Sequence, residues 1–287
     1  MESKKWKSVE LRIERVFDDE EGKKTAEYRY RLDRAIYVVI MAGPYGEDVV
    51  VLDTTVTSNK NVVSDWIGAV RGPDRRSLRS PRIAGISFYK GAFYRPRRHN
   101  GCGLQPPPLP TIAAISICVG GSRCLVYVVD SDDLYPARGA GREPYSFVSR
   151  HFQEFLEDRS VSFVGFGIEK AVATLKIEWG VDVAKPVDAV KLATEVIGKE
   201  RESVFKLQAE KGKGKWSRSS ADHVLAVPMS KEEITAMATG VMVEGPPSSM
   251  KEADWDSVEY LAEETVMHAA ADAFMAFQVG DALLKKK

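Results

Sequence analysis

The sequence predicts an α/β protein built on a mixed central sheet with helices on both faces. Two observations carry that expectation. Strand-length apolar runs fill the first half of the chain, and from about residue 146 helix and strand patterns alternate before the chain ends in helices. With 287 residues the chain is long enough for one large domain or two small ones around a sizeable core.

Residues 1–27 are highly charged and weakly periodic, and are expected to be partly ordered at most. From Tyr28 alternation sets in through residues 28–32 and 36–40. After Gly43-Pro44-Tyr45-Gly46 it resumes at 49–57, which predicts a β-hairpin of β-branched strands around a Gly/Pro turn. Val62, Val63, Trp66, Ile67 and Val70 recur at helical spacing and give a short amphipathic helix ending before Gly72-Pro73.

Three strand-length runs follow, at 83–89, 112–119 and 124–129. The link between the first two holds Gly101-Cys102-Gly103 and the proline run 106–110, which cannot be sheet interior and reads as an exposed loop. A Pro-rich ligand for an SH3-like partner is the other reading of it. Next come a helix at 146–157, a strand at 162–166, a helix at 168–179, a short strand at 186–188 and helices to the end. Ser230-Lys231-Glu232-Glu233 is a capping-box start. Before it, the cationic stretch 211–220 reads as a flexible insertion or as a polyanion contact.

Composition narrows the classes. A hydrophobic fraction of 44% with 29% charge argues against disorder and membrane residence. No apolar run approaches the roughly 20 residues of a spanning helix. Residues 1–7 are too polar for a signal peptide. An intracellular protein of the nucleus or cytoplasm is expected. Cys102, Cys118 and Cys124 lack Cys-x-x-Cys spacing, so idle or buried thiols are expected in place of disulfides or a zinc knuckle.

The formal net charge is zero, so any attraction to nucleic acid must come from local patches. One such patch is an arc of Arg71, Arg75, Arg76, Arg79, Arg82, Lys90, Arg95, Arg97 and Arg98, interrupted by the single acid Asp74. Phe88, Tyr89, Phe93 and Tyr94 are interleaved with it, the mixture of cations and stacking faces that single-strand binding uses. A solvated basic loop is the alternative.

Several segments together resemble the plant branch of Werner-type 3′→5′ exonucleases, in the DEDD superfamily. They are Thr54–Ser58, Asp65-Trp66-Ile67, Arg82–Lys90, Ile115–Val119, Arg123–Tyr127, Phe163–Lys170, Pro186–Asp188 and Asp272–Gly280. The resemblance covers about residues 49–280 and lies in their order and spacing. It implies an RNase H-like domain over 81–284, preceded by a hairpin and helix extension at 28–80.

Enzymes of that superfamily cleave phosphodiesters with two divalent cations, Mg²⁺ or Mn²⁺, held by several carboxylates. The family's first two acids form Asp-x-Glu after a Gly-hydrophobic pair. Here the strand reads Gly85-Ile86-Ser87-Phe88-Tyr89, so Ser87 and Tyr89 stand in their places. The third acid falls two residues past a Gly-Ile-Glu turn, where this chain has Ala171. Glu169 itself suits a helix start, where an acid meets the macrodipole favourably. The fourth belongs to a Tyr-x-x-x-Asp motif, and here the pair is His268 and Asp272. Histidine-type relatives place four residues between the two, so His268 reads as a substitution within the tyrosine-type spacing.

One retained acid cannot neutralise two divalent ions, which implies that the two-metal mechanism fails and that no cofactor is bound. Asp53, Asp130, Asp132 and Asp133 are not expected at the centre of the sheet. Three functions stay open. The first is a pseudo-exonuclease that binds single-stranded nucleic acid through the basic arc. The second is a protein-interaction subunit, assembling with itself or with active relatives. The third is a metal-dependent 3′→5′ exonuclease with displaced ligands. The basic aromatic arc favours the first, because a scaffold has no reason to gather cations beside the old cleft.

Overall fold

The β-branched and apolar runs fold as eight strands of a single sheet. They are β1 (Arg12–Arg15), β2 (Ala35–Gly43), β3 (Gly46–Thr57), β4 (Arg82–Lys90), β5 (Ile112–Val119), β6 (Arg123–Val128), β7 (Val161–Gly165) and β8 (Pro186–Asp188). This is a computed structural model, and it describes residues 12–15, 35–43, 46–71, 82–91, 112–129, 148–197, 230–240, 255 and 261–286. The helices are α1 (Lys60–Arg71), α2 (Arg150–Leu156), α3 (Glu169–Trp179), α4 (residues 189–197), α5 (Lys231–Thr239) and α6 (Glu263–Leu284).

The strand order is β1-β2-β3-β6-β5-β4-β7-β8. Strands β6, β5 and β4 form an antiparallel meander, while β7 and β8 add in parallel beyond β4. The sheet is therefore mixed, as the pattern of elements predicts. The hairpin forms between β2 and β3 with Gly43 opposite Gly46. Its first arm is one continuous strand from Ala35, and residues 28–32 lie outside the described part. The hairpin is continuous with the core, because Asp53–Thr57 of β3 pair in parallel with Arg123–Tyr127 of β6. Four residues of the charged N-terminal stretch form β1 on the far side of β2.

Most predicted elements shift only at their ends. The helix expected at 146–157 begins at Arg150, where the Ser149 hydroxyl accepts from the Phe152 amide as N-cap. The capping box is formed as its spacing predicts, with Ser230 accepting from the Glu233 amide and Glu233 reaching back to the Ser230 amide. Cys118 and Cys124 are buried free thiols facing one another across β5 and β6. Cys102, the proline run and the 211–220 stretch lie outside the described residues.

Helices cover both faces. On one, Trp66, Phe152, Phe155, Leu175 and Trp179 from α1, α2 and α3 pack on Ile86, Ile117 and Leu125. On the other, Val266, Ala269, Ala270, Ala273 and Phe274 of α6 pack with Trp255 on Leu52, Val56, Ala114 and Val126. A third cluster joins α4, α5 and the end of α6 beside Val164.

Small residues let α6 lie almost on the sheet backbone. A Cβ on Gly85 would stand 1.8 Å from the Ala273 carbonyl oxygen, and one on Gly280 would stand 2.6 Å from Val164. The Ser116 hydroxyl donates to the Ala269 carbonyl at 2.7 Å and pins the helix to β5. Side chains alternate along a strand, so Gly85, Ser87 and Tyr89 share the face that α6 covers. That contact sets Asp272 beside Tyr89. Among the described residues no helix is long and apolar enough to cross a membrane.

Candidate active-site cleft

The parallel strands β4 and β7 end on the same side of the sheet, where a cleft of about 270 Å³ opens. β4 contributes Ser87, Phe88 and Tyr89, and the turn after β7 contributes Phe166, Gly167 and Ile168. Ala171 of α3, Lys231 of α5 and Asp272 of α6 complete its walls. Gly167 adopts φ +62°, a left-handed conformation that suits glycine and turns the chain from β7 into α3. The four positions implied by the family resemblance, Ser87, Tyr89, Ala171 and Asp272, thus meet in one place.

Asp272 is occupied on both oxygens. Its Oδ1 accepts from Lys231 Nζ at 2.6 Å, and its Oδ2 faces the Tyr89 hydroxyl at 3.3 Å. The same hydroxyl also faces the Ala269 carbonyl at 3.4 Å, and its single proton serves one acceptor at a time. The ion pair is mostly shielded, with Lys231 25% and Asp272 16% exposed. Tyr89 stacks on Trp255 with ring centroids 4.4 Å apart. Burial, followed by the Asp272 charge, raises its pKa well above the ordinary range, and a Ser87 hydrogen bond only partly offsets this. The phenol is therefore a neutral donor at the position where the resemblance implies a carboxylate.

His268 lies one turn before Asp272 on α6, outside the cleft lining. Burial lowers its pKa, opposed by Asp272 and Glu264 and reinforced by Lys231, so the imidazole is neutral at pH 7. Glu169 pairs with Lys191 and is not part of the cleft lining. Asp53 sits on β3, three strands from β4. Asp130, Asp132 and Asp133 lie outside the described residues.

A pair of divalent cations needs several oxygen ligands. Among the described residues there is no group of three His, Cys, Asp or Glu side chains able to hold a metal ion. The one carboxylate in the cleft already bonds an ammonium and faces a phenol. This donor set does not fit a two-metal site, and no step is derived through one.

The basic arc divides. Arg71 does not reach the cleft: its guanidinium donates to the Glu154 carbonyl at 2.9 Å and lies 3.7 Å from Asp158. Burial would raise the Asp158 pKa, but hydrogen bonds from Ser160, with the charges of Arg71 and Arg82, bring it below its ordinary value. Asp158 precedes β7, which pairs with Arg82 at the start of β4. The cleft lies toward the other end of that strand, at Ser87–Tyr89, about 17–23 Å away at 3.3 Å per residue. Sequence proximity to β4 thus places Arg71 on the wrong end. Lys90 is exposed and follows Tyr89 at the cleft end. Arg75, Arg76, Arg79, Arg95, Arg97 and Arg98 lie outside the described residues, as do Phe93 and Tyr94.

Lys231 and Trp255 were not singled out by the sequence. Neither carries a local signal: Lys231 shares the first turn of α5 with Glu232 and Glu233, which already suit the macrodipole, and nothing local marks Trp255 as the partner of Tyr89.

No protein-family model matches the sequence, and no curated protein does. Solved structures do match. RNase D from Trypanosoma brucei is 13% identical, with a TM-score of 0.53 over 80% of this chain and 64% of that one. The same protein in complex with RNA U12 gives 12% identity and a TM-score of 0.52, over 80% of this chain and 62% of that one. RNase D from Escherichia coli, an exoribonuclease involved in structured RNA processing, is 13% identical, with a TM-score of 0.49 over 82% of this chain and 45% of that one. The two T. brucei structures show the fold. It is an RNase H-like fold, a mixed sheet flanked by helices, as in RNase D. The chain spans less than two thirds of the length of these structures.

Proposed function

We propose that this chain is a non-cleaving relative of the Werner-type 3′→5′ exonucleases, and that it binds single-stranded nucleic acid. The observation that carries the reading is the occupation of Asp272 by Lys231 at 2.6 Å, with Ser87, Tyr89 and Ala171 at the other cleft positions. Hydrolysis by two metals requires carboxylates to hold the ions and a group to accept a proton from water. The cleft offers one carboxylate, already paired, and a phenol that stays protonated at neutral pH.

Binding is a different matter. An unoccupied set of four acids repels phosphate, whereas one carboxylate neutralised by one ammonium does not. Exposed Lys90 at the end of β4 would supply a cation at the rim, and Arg75, Arg76, Arg79, Arg95, Arg97 and Arg98 are proposed as further phosphate contacts. A protein of the same fold has been captured with RNA U12. On this reading residues 81–284 form the exonuclease-like domain and 28–80 its extension.

The test incubates the purified chain with end-labelled single- and double-stranded DNA and RNA, in Mg²⁺, Mn²⁺ or chelator, and scores retention and shortening together. Retention of single strands at low salt without shortening is expected. Metal-dependent shortening that disappears in Asp272→Asn overturns the non-cleaving reading. If no strand is retained at low ionic strength, the binding half falls and assembly with itself or with active relatives takes its place.

A further inference from the structure

We propose that Lys231 is a built-in cation of the cleft: it takes the place of a divalent metal and receives the phosphate of a terminal nucleotide, so that binding there needs no metal. The inference rests on the cleft being a nucleic-acid site, and it names the group that holds the ligand.

Position is the first argument. Nζ of Lys231 lies 2.6 Å from the one acid retained in the cleft, and the side chain lines the same cavity as Ser87 and Ala171. A cation bridging that carboxylate and a ligand phosphate is the arrangement a metal would make. Here the chain supplies it as an ammonium. The charge cannot be removed by a chelator or lost by dilution.

Donor capacity is the second. An ammonium has three N–H donors. One bonds Asp272, and no other acceptor for Nζ is found among the described residues. Among the described residues two donors are therefore left for a ligand. The Tyr89 hydroxyl faces the other oxygen of Asp272, so the carboxylate's charge is shared between two donors and does not fall on Lys231 alone. A partly shielded ammonium makes stronger charge-assisted bonds to phosphate than one in open water.

Shape is the third. A cavity of about 270 Å³ is near the size of one nucleotide and far from that of a strand. Phe88 and Phe166, both half-buried and packed against the core, line it and give a base an apolar wall. With Ser87, Tyr89 and Ala171 in place of acids, the phosphate meets one negative side chain, already paired.

Calorimetric titration of the full chain with adenosine 5′-monophosphate and with adenosine, each in EDTA and in Mg²⁺, tests this. The monophosphate is expected to bind in EDTA as tightly as in Mg²⁺, and adenosine to bind about tenfold or more weakly, the loss of one charge-assisted contact. Lys231→Met should weaken the monophosphate by a similar factor and leave adenosine unchanged, and Lys231→Arg should recover most of the loss. Circular dichroism of each variant checks the fold. If Lys231→Met does not fold, the wild-type comparison still decides. Binding that requires Mg²⁺, or that does not distinguish the two ligands, overturns the proposal.

Oligonucleotide retention measured on the same preparations separates the two claims. Retention by wild type, with monophosphate affinity indifferent to Lys231→Met, leaves the nucleic-acid reading standing and removes Lys231 from it. No retention, with Lys231-dependent monophosphate binding in EDTA, removes the polymer reading and keeps the Lys231 site.

Discussion

The ring of Tyr89 lies on the indole of Trp255, with centroids 4.4 Å apart and planes inclined by 24°. The contact draws Tyr89 toward α6, where its hydroxyl faces Asp272 and the Ala269 carbonyl. Tyr89 is thereby packed against the core while it also lines the cleft. Tyr89→Ala should cost about 2–3 kcal/mol in denaturant unfolding, below the range for a fully buried aromatic because the ring is partly exposed. Tyr89→Phe keeps the stack and should cost about 1 kcal/mol, the worth of one hydrogen bond.

Tyr89 also makes an alkaline prediction. Its pKa is raised in the folded state, by burial first and by Asp272 second. The folded protein thus holds the phenolic proton more tightly than the unfolded chain. Stability from this group is complete below the unfolded value of about 10 and falls as pH rises above it. Thermal unfolding from pH 8 to 11 should show a decline that Tyr89→Phe lessens.

His268 works at the other end of the scale. Burial depresses its pKa, so the unfolded chain binds the proton more readily than the folded one. The contribution is complete above the unfolded value of about 6.5 and is lost progressively as pH falls below it. His268→Gln should flatten the melting temperature between pH 7 and pH 5, each value taken as approximate.

The Lys231–Asp272 pair should behave as a coupled unit. Lys231→Met leaves a shielded carboxylate without its counter-charge, whereas Lys231→Met with Asp272→Asn removes both charges. The double variant is expected to be more stable than the single Lys231→Met, with a coupling of about 1–2 kcal/mol in the cycle. Equal losses that simply add would show that the two side chains do not interact in solution.

Gly85→Ala tests how α6 is seated. The added Cβ would stand 1.8 Å from the Ala273 oxygen and 2.5 Å from the Phe277 nitrogen, both backbone atoms that cannot swing aside. A loss of about 3 kcal/mol or more is expected in denaturant unfolding, at the upper end for overpacking. Nucleotide binding should weaken with it, because displacing α6 separates Asp272 from Lys231.

What the sequence revealed follows from the range of the interactions. β4, β5 and β6 were legible because each is a short apolar run, and Gly85-Ile86 marked the strand that α6 crosses. Asp272 was legible only through the family resemblance, as the acid of a Tyr-x-x-x-Asp spacing in which His268 stands for the tyrosine. Lys231 was not, since its partner is 41 residues away and no local pattern joins α5 to α6. Strand pairing across the chain is equally silent in sequence, which is why the hairpin reads as an appendage although β3 pairs with β6. Arg71 went astray for the converse reason: it is close to β4 in sequence but lies near the strand's opposite end, against Glu154 and Asp158.

The proposal that the Lys231 ammonium stands where a metal would bind is tested by titrating Mn²⁺ into the purified chain, with free Mn²⁺ followed by electron paramagnetic resonance. No stoichiometric site is expected at micromolar Mn²⁺, in wild type or in Asp272→Asn, because one paired carboxylate is a poor ligand set for a hard cation. A stoichiometric micromolar site in wild type that vanishes in Asp272→Asn would contradict it and return Asp272 to the role of a metal ligand.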